Sequence, residues 1–286
     1  AAEENFCQDL FDCRTKIWEA IHSYNMKLLS LSPAEFIHFG TTKELLELVT
    51  TDIDDYEFLN WNRLVSTNVS QSNFWAANNS ILNKDVTIGK NTYIEDSIIG
   101  SQVVIGSGSV ISNLELKHKQ VPSKVVLHGL ALANGQYVTR VYGVQDNPKK
   151  TLEEKAEFMD IKLSDFLTIN GLSVKDIWSE QEHNLWFANL YPVCENQEES
   201  VDWALLLCRM AEGVANVSEI EEWKTKKRLS LYSSFNNADV QAIVPWKREL
   251  ENRIRVEQFI KHLNQGMYMK DALLDFGDEG INEKQY

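Results

Sequence analysis

The chain has 286 residues, 43% hydrophobic and 24% charged, with a formal net charge of −14, the composition of a globular protein long enough for two domains and a sizeable core. This acidic balance excludes polymeric nucleic acid as a partner, since its binders carry a basic footprint; the nearest approach to one, Lys224-Thr-Lys226-Lys227-Arg228, lies between acidic stretches and reads as a solvated turn. No apolar run approaches the roughly 18 residues of a membrane-crossing helix, and the acidic start is unlike a signal peptide, so a membrane is set aside as well.

The first residue is Ala rather than Met, so the chain reads as a fragment or a processed product. Cys7, Cys13, Cys194 and Cys208 show no Cys-x-x-Cys pair and no His at ligand spacing, which predicts reduced thiols in a cytoplasmic protein and no metal site. Residues 11–24 place Ile17, Trp18, Ile21 and His22 on one helical face. Lys27 to Phe39, rich in Leu, Ile and Phe around Pro33, reads as extended chain with a turn. Thr41-Thr-Lys-Glu44 has the form of a capping box and opens a helix over 43–49, followed by a short acidic linker at Asp52-Ile-Asp54-Asp55.

Residues 78–116 carry a period of six. Aliphatics recur at Leu82, Ile88 and Ile94, then, after a one-residue deletion, at Ile99, Ile105 and Ile111, and Gly follows three of them as Gly89, Gly100 and Gly106. This fits a parallel β-helix in which each unit gives a short strand with its aliphatic inward, and Gly permits backbone conformations that other residues resist. Two hairpins with Gly turns explain the phase less well. Such a short stack needs cover at its ends, which predicts flanking domains and self-association. Tyr137-Val-Thr-Arg-Val-Tyr142 alternates as a strand. Beyond Pro148 the pattern becomes helical: Thr151-Leu-Glu-Glu154 and Ser173-Val-Lys-Asp176 read as capping boxes, 201–210 as an amphipathic helix, and 239–263 as another with Ile243, Trp246, Leu250, Ile254, Phe259 and Leu263 on one stripe.

Candidate chemistry is sparse, and no catalytic residue is identified. The Gly40-Thr41-Thr42 step either caps its helix or offers amides to a phosphate. His38 reads as a hydrogen-bonded core histidine from the pattern alone. Gly143-Val-Gln145-Asp146-Asn147-Pro148-Lys149-Lys150 is either a rigid polar turn or a ligand-holding loop whose lysines pair with phosphate. His118 and His128 bracket the end of the repeat, where a hexapeptide acyltransferase places a general base, but neither stands on an inserted loop.

Phe36-Ile-His-Phe-Gly-Thr-Thr-Lys-Glu-Leu-Leu46, the repeat, and Val141-Tyr-Gly-Val-Gln-Asp-Asn-Pro-Lys149 together resemble the fucose-1-phosphate guanylyltransferase family, above all the fused form that joins L-fucokinase to GDP-fucose pyrophosphorylase. Leu185-Trp-Phe-Ala-Asn-Leu-Tyr-Pro-Val-Cys194 and Arg228 to Asp239 look like that family too. The resemblance implies formation of GDP-fucose from fucose-1-phosphate and GTP with Mg²⁺, beside a kinase domain that makes fucose-1-phosphate from L-fucose and ATP. Neither the family's Gly-rich nucleotide loop nor a kinase Gly-Leu-Gly-Ser-Ser motif occurs in the sequence. The chain therefore resembles the tail of a nucleotidyltransferase domain (1–55), a β-helix and strand segment (74–145) and a helical connector (146–286). The expected class is α+β: a left-handed parallel β-helix of hexapeptide repeats, with an N-terminal α/β tail and a C-terminal α-helical region. Where related nucleotidyltransferases carry an Asp before Gly-Thr, this chain has His38. The resemblance places His38, Thr41 and Thr42 toward a sugar-phosphate cleft, and Gly40, Gln145, Asp146, Asn147 and Lys149 join them as candidate substrate-binding residues from their own chemistry. The competing readings are a non-catalytic scaffold that drives oligomerisation and a hexapeptide-repeat acyltransferase.

Overall fold

A computed structural model describes residues 8–265 except 26, 28, 29, 31–36, 38, 39, 73, 180 and 181. The expected extended stretch from Lys27 to Phe39 falls mostly outside the described residues. The chain divides into two compact units, Ala1–His38 and Phe39–Tyr286. In the first, α1 (Gln8–Ile21) matches the predicted helix, with Trp18 stacked on His22 at 5.7 Å between ring centroids.

The second unit begins with α2 (Thr42–Thr50), capped by Thr41 as the sequence predicts. The acidic stretch expected to be a linker is instead a 3₁₀ helix, Asp52–Leu59, in which Arg63 forks onto the Asp54 carboxylate. A parallel β-helix follows, built from β1 (Leu64–Thr67), β2 (Ala76–Leu82), β3 (Thr87–Ile88), β4 (Tyr93–Glu95), β5 (Ile98–Ile99), β6 (Val104–Ile105), β7 (Val110–Ser112), β8 (Glu115–Leu116), β9 (Gln120–Val121), β10 (Val125–Ala131) and β11 (Tyr137–Gly143). Strands stack into three sheets: β1-β2-β4-β7-β10 closed by antiparallel β11, then β2-β5-β8, then β3-β6-β9.

Register shows why the period of six slips by one. Ala77, Ile94 and Ile111 align, as do Leu82, Ile99 and Leu116, so each coil takes 17 residues. The next coil takes one fewer, since Ile105 pairs with Val121 and Ile111 with Leu127. The repeat thus extends past 116 to Leu127. Its inward column is almost fully buried: Ile94, Ile99, Ile111, Leu116 and Leu127 are 0% exposed. Each such side chain contributes roughly 1.5–3 kcal/mol.

The glycines act differently from the expectation. Gly89, Gly100 and Gly106 lie outside the left-handed region; a Cβ on Gly89 or Gly106 would sit 2.4 Å from the next coil's backbone nitrogen, so close coil-to-coil approach is the requirement. The left-handed corners belong instead to the stacked sets Asn79, Asp96, Asn113 and Asn91, Gly108, Lys124, and Asn and Asp are the side chains that best tolerate that geometry. Thr92 and Ser109, buried at another corner, donate to the Gly106 and Pro122 carbonyls of the next coil.

Two amide side chains close the ends of the β2-β5-β8 sheet. Asn68 accepts from the Leu82 N–H at 2.9 Å and donates to the Leu82 carbonyl at 3.0 Å. At the other end Gln197 accepts from the Glu115 N–H at 2.8 Å and donates to the Asn113 carbonyl at 3.1 Å. Each satisfies edge groups that a missing strand would leave open.

The rest is a helical layer: β12 (Glu157–Phe158), β13 (Ile161–Lys162), α3 (Leu163–Ile169), α4 (Val174–Ile177), β14 (Tyr191–Pro192), α5 (Gln197–Ala211), α6 (Val217–Thr225), β15 (Arg228–Leu229), α7 (Leu231–Asn236) and α8 (Val240–Asn264). Ser173 caps α4 as predicted. Thr151 and Glu154 make the reciprocal bonds of a capping box, but around a turn rather than a helix. One continuous core runs from the coil interior into this layer, joining Ile105, Leu116 and Val138 to Phe166, Leu206 and Trp223. The α8 stripe docks along the coils, where Leu250 and Ile254 bury against Ile81 and Ile98. Among the described residues no helix is long and apolar enough to cross a membrane.

Ile105, 1% exposed, and Val104, 42% exposed, are neighbours on opposite faces of one strand. Ile105→Asp buries an unpaired charge and should lower stability by more than about 3 kcal/mol, whereas Val104→Asp should cost under about 1 kcal/mol. Urea melts of both variants check the register, which equal tolerance would overturn.

Candidate functional site

The start of α2 is held from both sides. Thr41 Oγ1 accepts from the Glu44 N–H at 3.2 Å, and Glu44 Oε2 accepts from the N–H groups of Gly40 at 2.7 Å and Thr41 at 2.9 Å. Two amides that the sequence offered to a phosphate are therefore taken by Glu44. Thr42, one residue further, stands beside the Tyr142 phenol, whose pKa burial raises and Thr42 pulls down. Leu46 fixes the helix by packing on Val110, Val126 and Val144, with Tyr93 and Tyr142 alongside. His38 lies outside the described residues.

The Tyr142 contact brings the predicted polar loop to the same place, because β11 ends at Gly143. Asp146 folds back over that residue: Oδ2 accepts from the Gly143 N–H at 2.6 Å, and both oxygens stand 3.1 Å from the Met159 N–H. A Cβ on Gly143 would meet Asp146 Oδ1 at 2.7 Å, so glycine is required for this close approach. Burial pushes the Asp146 carboxyl up to about 7, against the opposing pull of its Gly143 and Met159 donors. Asn147 Oδ1 accepts from the Lys149 N–H at 3.1 Å. Asp146 and Asn147 thus shape the turn, while Gln145 and Lys149 are exposed and make no side-chain hydrogen bond or ion pair among the described residues.

A polar row beside this turn escaped the sequence reading. Asn78, Glu95, Ser112, His128 and Arg140 stand in register across the large sheet. Ser112 Oγ donates to Glu95 Oε1 at 2.7 Å, and Arg140 Nη2 lies 2.5 Å from His128 Nδ1. Asn113 Nδ2 lies 3.3 Å from His128 Nε2, while its own Oδ1 is buried without a partner. A half-turn of that amide satisfies the imidazole, with Nδ1 accepting from Arg140 and Nε2–H donating to Asn113 Oδ1, and leaves Asn113 Nδ2 in the unpartnered position. His128 is then a neutral imidazole. Its burial, with Arg140 and Lys247 nearby, holds its pKa down at about 3, so it has no role as a general base at neutral pH. His118 sits on an exposed left-handed corner, bonded to Gln102 at 3.1 Å. The signal for the row was present in the sequence: Asn78, Glu95 and Ser112 recur at the coil length, a period visible only once whole coils rather than hexads are stacked.

A family model described as "Fucose pyrophosphorylase domain" matches residues 2–196. The human protein named fucose-1-phosphate guanylyltransferase is 24% identical over 262 residues, 85% of this chain and 42% of that protein. Its counterpart from Mus musculus is 28% identical over 260 residues, 83% of this chain and 41% of that protein. The L-fucokinase/L-fucose-1-P guanylyltransferase of Bacteroides fragilis is 23% identical over 202 residues, 68% of this chain and 21% of that protein. The chain therefore spans about two fifths of the length of the first two relatives and about one fifth of the third. No solved structure matches it.

The Asp146 carboxyl supplies a pH test. Its folded pKa is raised above the unfolded value, so between about pH 4 and 7 the unfolded chain releases a proton that the folded chain retains, and stability falls as pH rises through that window. Asp146→Asn, which cannot ionise, should match the wild type near pH 4 and gain on it by pH 8. Denaturant melts at the two pH values measure the difference, and a constant difference would rule out the raised carboxyl.

Proposed function

Because this chain belongs to the fucose pyrophosphorylase family, we propose that it is the solenoid-bearing portion of an enzyme that forms GDP-L-fucose and pyrophosphate from fucose-1-phosphate and GTP. The observation that carries this is the family match across residues 2–196, which takes in both the α2 start and the 143–149 turn. Further support is the packing of Leu46 of α2 against Val144 and Tyr142, which sets those two segments side by side. For the sugar-phosphate side the proposal retains Thr42, Gln145 and Lys149, together with His38. Gly40, Thr41, Asp146 and Asn147 support it by shaping the backbone.

The triphosphate is assigned to a nucleotide-binding part beyond these residues, because the sequence has no Gly-rich loop. Mg²⁺ is assigned there too: among the described residues no group of three or more His, Cys, Asp or Glu side chains gathers to hold a metal ion. By analogy with the name of the B. fragilis relative, the parent protein also phosphorylates L-fucose with ATP in a separate domain. Residues 1–55 then close the nucleotidyltransferase part, 74–145 form the spacer, and 146–286 lead toward the kinase, in the cytoplasm, where the nucleotide substrates are. Self-association completes the scaffold reading.

Product analysis tests the assignment. The complete gene product should convert GTP and fucose-1-phosphate to GDP-fucose, and the 286-residue chain should form none. Product from the pure, mass-verified chain would overturn the division of labour, and its absence from the complete protein would overturn the activity. Light scattering tests self-association, which a mass of 32.8 kDa at micromolar concentration would defeat.

A further inference from the structure

We propose that Arg140 is an anion-binding residue that takes the phosphate of a sugar 1-phosphate on the outer face of β11. This rests on the reading above for the sugar, but not for the anion.

Arg140 is largely buried, yet no carboxylate pairs with it among the described residues, and its Nε is buried without any hydrogen-bond partner. Arg63, Arg209 and Arg255 each meet an acid, Asp54, Glu219 and Glu251, and Arg248 and Arg253 are exposed. Arg228 also keeps a buried Nη1 without a partner, but its guanidinium lies 3.9 Å over the Trp223 ring and donates to the Asp176 carbonyl, whereas no ring contact is found at Arg140 among the described residues. Enclosing a cation without a partner is costly, and a Val or Thr at this strand position would avoid the cost. A ligand that supplies the missing negative charge removes the penalty.

Local geometry fits that role. The neutral His128 ring accepts one Nη2 hydrogen and so fixes the guanidinium, leaving the second Nη2 hydrogen, Nη1 and Nε without a protein acceptor among the described residues, so that Nη2 can still form a fork with one of them. His128 is in this sense a positioning residue. Tyr142, two positions along the same face of β11, packs beside Leu46 of α2, so guanidinium, phenol and helix follow one another along one face. The nearest acid in the row, Glu95, is two strands from His128 and accepts from Ser112. A guanidinium fork matches two phosphate oxygens in a bidentate contact. One such fork, with no carboxylate cluster to bring a divalent cation, suits a phosphate monoester rather than a nucleoside triphosphate.

The experiment titrates the 286-residue chain with fucose-1-phosphate, inorganic phosphate, GTP and free L-fucose, reading thermal stability and calorimetric affinity. Fucose-1-phosphate and phosphate should bind and raise the melting temperature, and L-fucose should not. Arg140→Met should weaken both phosphates by at least about tenfold, yet melt at or above the wild type without ligand, because it removes an unpaired buried charge; a merely structural arginine gives the opposite stability change. Undiminished binding by Arg140→Met, or a wild type indifferent to both phosphates, overturns the proposal. Protection by GTP alone through Arg140 overturns the monoester as occupant. Should Arg140→Met fail to fold, Arg140→Lys decides: it keeps the charge and loses the fork, and unchanged affinity in it also overturns the proposal. A complete protein that makes no GDP-fucose, while this chain still binds phosphate through Arg140, sinks the functional reading alone.

Discussion

Coil-to-coil registry governs the second unit. Once Ala77, Ile94 and Ile111 are stacked by parallel backbone hydrogen bonds, every position of one coil is tied to the position above it, and each residue type answers to its column. Inward columns are aliphatic because no water reaches them. The left-handed corners fall mostly to Asn, Asp and Gly, with Gln102, His118 and Lys124 as the exceptions within the coils. Gly89 and Gly106 occur where the next backbone leaves no room for a Cβ. Even the polar residues inside follow the rule: Ser97 accepts from the Leu114 N–H and donates to the Glu95 carbonyl, so its burial leaves nothing unpaired.

The same registry builds the outer surface on which function is placed. Sheet positions facing outward form columns as well, one apolar and one polar. The apolar column, Tyr93, Val110 and Val126, receives Leu46 of α2. The polar column runs from Asn78 to Arg140. Along the neighbouring corner lies α8, with the Trp246 indole donating to the Asp96 carbonyl at 2.7 Å and Lys247 paired with Asp96 at 2.7 Å. The solenoid thus serves as a ruler, setting distances between segments far apart in sequence.

Much of this was legible in the sequence, for a definite reason. Leu82, Ile88, Ile94, Ile99, Ile105 and Ile111 show their phase because buried columns tolerate few side chains. The N-caps at Thr41 and Ser173 were legible because their partners lie three residues away. Local motifs misled where tertiary context chose the outcome. Thr151 and Glu154 form their mutual bonds at a turn, and Asp52 to Asp55 coil into a 3₁₀ helix. The repeat seemed to end at 116 because its last coil is one residue short and places Pro122 where earlier coils have Gly89 and Gly106. Arg140 was invisible because its surroundings come from separate strands and a helix, and no contiguous motif records a missing counterion.

The two amide plugs have a consequence for quantity rather than shape. A parallel stack has no intrinsic length: the bonds that hold one coil to the next would hold a further coil equally well, whether from the same molecule or another. In the β2-β5-β8 sheet that addition is prevented by Asn68 at one end and Gln197 at the other, each imitating the strand that would otherwise dock there. Termination here is chemical, written in two side chains that reach the stack from outside its repeat. They give a potentially endless polymer a fixed number of layers.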